Sequence, residues 1–313
     1  MQHAEPIEES NSFLHESENQ FEAGGFSLTD SLQLEDPLQK ENKMASYKKF
    51  AHPDLPPESL GFYRDVLQIL NRENLPYLVG GAYALNHYAG INRHTKDFDI
   101  FIARKDYEKI SLVLTQAGYP TEVTYPHRLA KAHHNGDFID LVFSSGNGVA
   151  EVDEAWFEHA EHTHIFGIPT QVCPAEEIIW SKAFIMERER FDGADIAHLI
   201  LAREDQLDWN RLMRRFAPHW RLLLSHLILF GMIYPAHRDA IPRWVMQQLL
   251  KRLEQESYTP PPMEEICGGT LLSREQYLND IQSMGFKDAR LWPHGNMTPS
   301  ETNLWTEAIP KRI

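Results

Sequence analysis

Residues 77–102 have the sequence YLVGGAYALNHYAGINRHTKDFDIFI, and this stretch decides the fold of the chain. Its apolar runs and glycine pair predict a short strand, a turn at Gly80-Gly81, a helix, a polar loop and a second strand. Asp97 and Asp99 lie two residues apart in that second strand, so their carboxylates should project from one face of it. Because glycine lets backbone N–H groups approach an anion at a helix start, the turn predicts an anion site.

The acidic residues of the central stretch point to a metal. Neighbouring carboxylates repel each other and resist joint ionisation, and Mg²⁺ relieves this repulsion by binding carboxylate oxygens together with substrate phosphates. Asp140 interrupts another apolar run, FIDLVF at 138–143, where a lone buried carboxylate is costly unless it is paired or binds a metal. A strand beside that of Asp97 and Asp99 would gather three acids around one or two Mg²⁺ ions for phosphoryl or nucleotidyl transfer. For any one acid alone, a turn or edge position is the commoner explanation.

The composition is that of a globular protein, and a length of 313 residues favours two folded domains. Cys173 and Cys267 lie far apart, so we expect no disulfide framework and a reducing, cytoplasmic setting. The longest apolar run, at 222–234, is shorter than the roughly 18 residues that a membrane span needs. The N-terminus lacks the pattern of a secretion signal. We therefore expect no membrane association.

The net charge of −15 is concentrated near the N-terminus. Residues 1–43 contain ten acidic residues and two lysines, and their composition predicts a disordered acidic tail. Within it, Phe26, Leu28, Leu32 and Leu34 form a candidate partner-docking motif, although a solvated tail is the commoner case. An acidic chain disfavours general binding to DNA or RNA, but it permits one RNA acceptor in a local basic groove.

Strand and helix patterns alternate up to residue 173, and helical patterns follow from Pro174. Helices are predicted at 56–74, 104–117, 176–188, 193–203, 209–216, 220–230, 243–256 and 273–284, the last with a capping box at Ser273 and Gln276. Further strands are predicted at 121–132 and 137–143, joined by a turn at His134-Asn135-Gly136, and at 163–166 and 169–172, which form a hairpin turning at Gly167. These patterns divide the chain into the tail (1–43), an α/β domain (44–173), a helical domain (174–256) and a C-terminal extension (257–313).

The ordered set of a glycine pair, Asp-x-Asp and a later strand aspartate resembles the DNA polymerase β-like nucleotidyltransferase superfamily. The approach to the acids, Arg93-His94-Thr95-Lys96-Asp97, is similar to the R-x-T-x-D-x-D form of AbiEii-type toxins and related bacterial nucleotidyltransferase-like proteins. Lys182 and the segment ERFDGAD at 189–195 are similar to a helical lysine and an element of spaced Arg and Asp residues downstream in those proteins. The resemblance covers about residues 58–203.

This resemblance implies a fold and a reaction. The fold would be α/β (α+β), with a small mixed-sheet nucleotidyltransferase domain followed by a helical domain. The reaction would transfer a nucleoside monophosphate from an NTP to the hydroxyl of an RNA such as tRNA, a protein or a small molecule. Mg²⁺ would be the metal, with Mn²⁺ as an alternative. The sequence does not identify the acceptor.

The resemblance also implies roles for the central residues. Asp97 and Asp99 would bind the metal ions. Asp140 would bind the catalytic metal and orient or deprotonate the acceptor hydroxyl. Gly80 and Gly81 would contact the triphosphate. Gly81 stands where relatives often have serine, so only backbone donors remain at this turn.

Four further residues have weaker assignments. Lys182 is a candidate phosphate contact, and a solvated helix lysine is nearly as common. Asp195 would support the site or the acceptor, and an interhelical salt bridge is an equal alternative. Arg93 and Thr95 would support the acidic pair.

Two other functions fit the same sequence. The chain could be a catalytically idle relative that binds a nucleotide or a protein partner, with the acidic tail as the docking element. It could also be a toxin that modifies tRNA or another RNA, with the same chemistry and a different acceptor.

Overall fold

A computed structural model of the protein describes residues 55–92, 95 and 97–308, all of which belong to one compact unit, Ser46–Ile313. The predictions for the acidic tail and for Arg93 lie outside the described residues. The central sheet contains β1 (Leu78–Val79), β2 (Phe98–Phe101), β3 (Thr121–Tyr125), β4 (Leu129–His134), β5 (Asp137–Val142), β6 (Glu161–Ile165) and β7 (Ile168–Val172). Its order is β3-β4-β5-β2-β1-β7-β6.

The sheet is mixed, because β2 runs antiparallel to β1 but parallel to β5, and β1 runs parallel to β7. The α-helices of the described residues are α1 (Pro57–Arg72), α2 (Gly81–Ala89), α3 (Tyr107–Gln116), α4 (Glu154–Glu158), α5 (Ala175–Ala183), α6 (Gly193–Ala202), α7 (Trp209–Arg215), α8 (Trp220–Ile233), α9 (Arg243–Ser257), α10 (Leu278–Gln282) and α11 (Pro299–Glu307). A parallel pair, β8 (Ile266–Cys267) and β9 (Lys287–Asp288), lies in the C-terminal segment. The predicted mixed α/β fold is confirmed.

The core forms where α1 covers one face of the sheet. α1 begins at Pro57, which suits the first helical turn because proline lacks an N–H donor. Its apolar stripe includes Tyr63, whose ring stacks on Phe98 of β2 at 4.9 Å between centroids. Phe98 and Ile100 are fully buried, while Asp99 between them is only partly buried. Strand alternation therefore directs the hydrophobic side chains of β2 into the core and Asp99 to the opposite face.

Two hairpins have tight turns whose residues adopt positive φ. Asn135-Gly136 joins β4 to β5, and Phe166-Gly167 joins β6 to β7. Positive φ at both central residues gives the turn a twist that matches the flanking strands. The hairpins predicted at these two places are confirmed.

The helical half packs through α5 and α6, with α6 against α2 and α8. Within the described residues, no single helix is both long and apolar enough to cross a membrane. Together, α7 and Ala217–Ile233, bent by 78°, do meet the length and composition requirement. Their side chains Leu212, Leu224 and Phe230 are buried inside the protein. The domain boundaries near residues 174 and 257 stay predictions.

Two predicted elements are shorter than the sequence indicates. The strand expected at 121–132 is two strands, because the chain turns at 126–128 and the Arg128 N–H donates to the Tyr125 carbonyl. The helix expected at 176–188 ends at Ala183. Beyond it the chain folds back on itself through a bridge between Met186 and Phe191.

The helix predicted at 273–284 is also wrong over its first half. Ser273 Oγ accepts from the Gln276 N–H at 3.2 Å, but this contact closes a turn, and α10 begins only at Leu278. A complete capping box does exist further along, where Thr298 and Glu301 cap each other at the start of α11.

Candidate active site

The glycine turn and the first acidic strand are in direct contact. The Gly80 N–H donates to the Asp99 carbonyl at 3.0 Å, which joins the end of β1 to β2. Gly81 begins α2 at φ +55°, and a Cβ at this position would overlap Asp99 Oδ2. The local backbone and the Asp99 side chain therefore explain why serine is absent at Gly81.

Two of the three predicted acids lie side by side on neighbouring strands of the sheet. Asp99 and Asp140 are register partners on the parallel strands β2 and β5, which lie about 4.8 Å apart as neighbouring strands do. Asp97 precedes β2 by one residue and is exposed. Its N–H donates to Thr95 Oγ1 at 3.1 Å, so Thr95 orients the backbone of Asp97.

The environment of Asp99 opposes its ionisation. Burial, followed by the charges of Asp140 and Asp97, raises the pKa of Asp99 to about 6. Lys182 and Arg128 act in the opposite direction on the same carboxyl. Asp99 therefore lies among acids that destabilise its charged form and two cations that partly compensate.

Asp140 has a close cationic partner. Lys131 Nζ, from the adjacent strand β4, lies 2.6 Å from Asp140 Oδ1, and both side chains are mostly buried. The same ammonium lies 3.3 Å from the centre of the Phe138 ring. Because Lys131 is the register partner of Asp140, a row of Lys131, Asp140 and Asp99 crosses three strands.

The donor set matches Mg²⁺ in its chemistry. Carboxylate oxygens are the protein ligands that Mg²⁺ prefers, and the repulsion felt by Asp99 is what a divalent cation relieves. Within the described part of the chain, however, no group of three His, Cys, Asp or Glu residues is arranged to hold a metal ion. Asp99 and Asp140 are register partners, whereas Asp97 precedes β2 and is exposed.

The second group of predicted residues forms a mostly buried charge cluster between α5 and α6. Lys182 Nζ lies 2.7 Å from Asp192 Oδ2 and 2.8 Å from Asp195 Oδ2. Arg190 donates twice to the Asp192 carboxylate, at 2.9 Å each. These contacts hold the pKa of Asp192 below its usual range, against the effect of burial. Lys182 is therefore an ion-paired lysine that also acts on Asp99.

Two cations beside the acids, Lys131 and Arg128, were not among the residues predicted from the sequence. The partner of Lys131 was available from the sequence, because counting outward from the Asn135-Gly136 turn places Lys131 opposite Asp140. For Arg128, the last residue of the turn between β3 and β4, no local pattern indicates proximity to the acids.

One recess in the described residues lies away from the acids. A recess of about 490 Å³ is lined by residues that include Asn71, Tyr77, His162, His164 and Gln171. None of the acids of the candidate site lines it.

A family model described as "Uncharacterised nucleotidyltransferase" matches residues 61–234, more than half of the chain. No curated protein sequence matches the chain.

Three solved structures illustrate the structural likeness. The crystal structure of ANT(2")-Ia in complex with adenylyl-2"-tobramycin is 16% identical, and the match covers 51% of this chain and 96% of that chain at a TM-score of 0.37. Lincomycin-bound LnuA, a lincosamide antibiotic adenylyltransferase, gives 15% identity, 47% and 97% coverage, and a TM-score of 0.33. An antigenic nucleotidyltransferase-like protein from Paracoccidioides brasiliensis is 16% identical, and the match covers 59% of this chain and 93% of that chain at a TM-score of 0.39. At these TM-scores the likenesses support no inference about substrate.

Proposed function

This chain belongs to the nucleotidyltransferase family, and from that premise we propose that it transfers a nucleoside monophosphate from an NTP to an acceptor hydroxyl. The acceptor oxygen would bond to the α-phosphorus while the bond from that phosphorus to pyrophosphate breaks. The observation that supports this proposal is the register pairing of Asp99 with Asp140, directly beside the Gly80-Gly81 turn.

The chain's own residues would contact the triphosphate, hold the metal and accept the proton of the acceptor hydroxyl. The backbone at Gly80 and Gly81 would contact the triphosphate, since a side chain on Gly81 has no room beside Asp99. Asp99 and Asp140 would hold Mg²⁺, with Asp97 joining them when nucleotide is bound. Asp140 would also orient the acceptor hydroxyl and accept its proton.

The metal would supply charge neutralisation for the carboxylates and the phosphates. Lys131 limits the availability of Asp140 as a metal ligand and proton acceptor, because the Lys131 ammonium already lies 2.6 Å from the Asp140 carboxylate. Lys131 would therefore have to shift from Asp140, or share it, when the site is loaded. Lys182, paired with Asp192 and Asp195, would act on the phosphates through its charge.

The same contact between Lys131 and Asp140 favours a second candidate, a catalytically idle protein that binds nucleotide without transferring it. In such a protein, Lys131 would take the place of the metal beside Asp140. NTP binding would then be independent of Mg²⁺, and no pyrophosphate would appear with any acceptor.

The proposal is tested by following transfer of label. The protein would be incubated with Mg²⁺ and each α-³²P-labelled NTP together with total RNA, a protein extract or a small-molecule filtrate. We expect one pool to become labelled, with pyrophosphate released in equal amount, and the Asp140→Asn variant to be inactive. If the wild-type protein binds NTP but labels no pool and releases no pyrophosphate, the transferase proposal is wrong.

A further inference from the structure

Arg128 lies beside the acids, and one of its buried donors lacks a hydrogen-bond partner among the described residues. Its carbonyl accepts from the Phe143 N–H at 2.7 Å, which joins the β3–β4 turn to the end of the strand that carries Asp140. Burial lowers the pKa of Arg128, and the charges of Asp140 and Asp99 oppose that shift. The guanidinium therefore lies within electrostatic reach of both carboxylates.

The Arg128 guanidinium is nevertheless not saturated with hydrogen bonds. Its Nε is buried without a hydrogen-bond partner in the described residues. A buried donor without a partner is costly, and most buried donors in proteins are paired. Since arginine stays charged and presents five donors in a planar fork, an anionic ligand would satisfy it.

The Arg128 side chain packs on the aromatic ring of Trp305 in α11. The guanidinium lies over this ring at 4.9 Å from its centroid. Tyr125 meets the same ring edge to face at 5.1 Å. A Cβ on Gly146 would overlap the indole, so Trp305 is enclosed on this side as well. The C-terminal segment thus packs against the turn that carries Arg128.

Trp305 is also connected, through Arg274 and Glu187, to the loop that carries one of the ion-pair partners of Lys182. Arg274 also stacks on Trp305, at 4.6 Å, and its Nε lies 3.3 Å from Glu187 Oε1. Ser273 Oγ donates to Glu187 Oε2 at 2.7 Å. Glu187 belongs to the loop that leads to Asp192, one of the partners of Lys182. The C-terminal segment therefore contacts both the turn that carries Arg128 and the loop that leads to Asp192, a partner of Lys182.

We propose that Arg128 is a phosphate-binding residue of the nucleotide site and that Trp305 is the residue that positions it. This inference rests on the proposed function, because the phosphates are those of the donor NTP. Gly81 offers only backbone donors, and Lys182 is already shared by two carboxylates. Among the described cations that act on Asp99, Arg128 has a buried Nε without a hydrogen-bond partner, and this donor could serve a β- or γ-phosphate.

The test is a calorimetric comparison of the tri-, di- and monophosphate of one nucleoside, each with Mg²⁺, using the full chain. Arg128→Ala should weaken triphosphate binding about 10-fold or more and monophosphate binding less than about 3-fold, because only the outer phosphates lose a partner. Trp305→Ala should give the same pattern in weaker form, and Trp305→Phe, which keeps an aromatic face, should restore most of the affinity. Arg252→Ala is the matched control, since Arg252 stacks on Trp220 at the same 4.9 Å.

The outcomes separate this inference from the proposed function. If the wild-type protein binds no NTP, the proposed function fails together with the inference. If the wild type binds NTP but Arg128→Ala binds it equally well, only the inference is wrong. Equal weakening of tri- and monophosphate binding would also contradict it, because Arg128 would then act on the acids or the fold. Circular dichroism of each variant establishes that it is folded.

Discussion

Asp99 and Asp140 are register partners on two parallel strands, and their carboxylates lie on one face of the sheet. In the metal-free protein this proximity, together with burial, raises the pKa of Asp99 to about 6. A carboxyl whose folded-state pKa exceeds its unfolded value destabilises the fold when ionised. The pair is therefore a source of instability that a bound cation would remove.

The first prediction concerns pH. Stability from the protonated Asp99 is fully present below about pH 4 and is lost as pH rises to about 6, a loss of roughly 3 kcal/mol in the unfolding free energy. Asp99→Asn should therefore be more stable than the wild type at pH 7 and similar to it at pH 4. Denaturant unfolding without Mg²⁺ measures this difference. A gap that stays constant between these pH values would contradict the assigned pKa.

The second prediction concerns the glycine turn. Gly81→Ser should destabilise the protein by at least about 1–2 kcal/mol and weaken NTP binding, because φ is +55° and the new Cβ overlaps Asp99. Gly61→Ala is the control, since Gly61 lies in α1 with nothing near its Cβ position. This control should be neutral or stabilising by up to about 1 kcal/mol. Thermal unfolding and calorimetry of both variants test the prediction, and a fully active, stable Gly81→Ser protein would refute it.

The third prediction concerns Lys131. Lys131→Met removes the cation that neutralises Asp140, so the metal-free protein should lose roughly 1–3 kcal/mol of stability. The rise in Tm on adding Mg²⁺ should become larger than in the wild type, because the metal no longer competes with the ammonium. Lys131→Arg keeps the charge and should respond like the wild type. An identical Mg²⁺ response in all three proteins would exclude Asp140 as a metal ligand.

The fourth prediction concerns Lys182. Lys182→Met leaves Asp192 and Asp195 without their shared cation in a mostly buried cluster, which should cost about 3–5 kcal/mol. Lys105→Met is the control, because Lys105 pairs with Glu154 on the surface, where an ion pair contributes about 0–1 kcal/mol. Urea unfolding compares the two variants. Equal stability of both would show that the cluster is not structural.

Much of the site's framework follows from short-range rules in the sequence. Strand alternation predicted that Asp99 faces away from the core beside Phe98, and the interrupted apolar run identified Asp140. The two-residue turn at Asn135-Gly136 also fixes Lys131 opposite Asp140, although our sequence analysis did not use it. Local periodicity and turn chemistry determine all of these placements.

The contacts that no local sequence pattern indicates are long-range. Trp305 stacks on Arg128 although the chain between them is more than half the protein, and no periodic pattern connects the two. The early end of α5 has a similar origin, because the loop carrying Glu187 is held by Ser273 and Arg274. Tertiary hydrogen bonds here override local helix propensity.

The most direct test of the central claim is calorimetric titration of the wild-type protein and the Asp99→Asn/Asp140→Asn double variant with each of the four NTPs, with and without Mg²⁺. We predict NTP binding that requires Mg²⁺ in the wild type and is lost in the folded double variant. Binding of equal strength without Mg²⁺, or in the double variant, would contradict the assignment of Asp99 and Asp140 as the metal-binding pair of a nucleotidyltransferase.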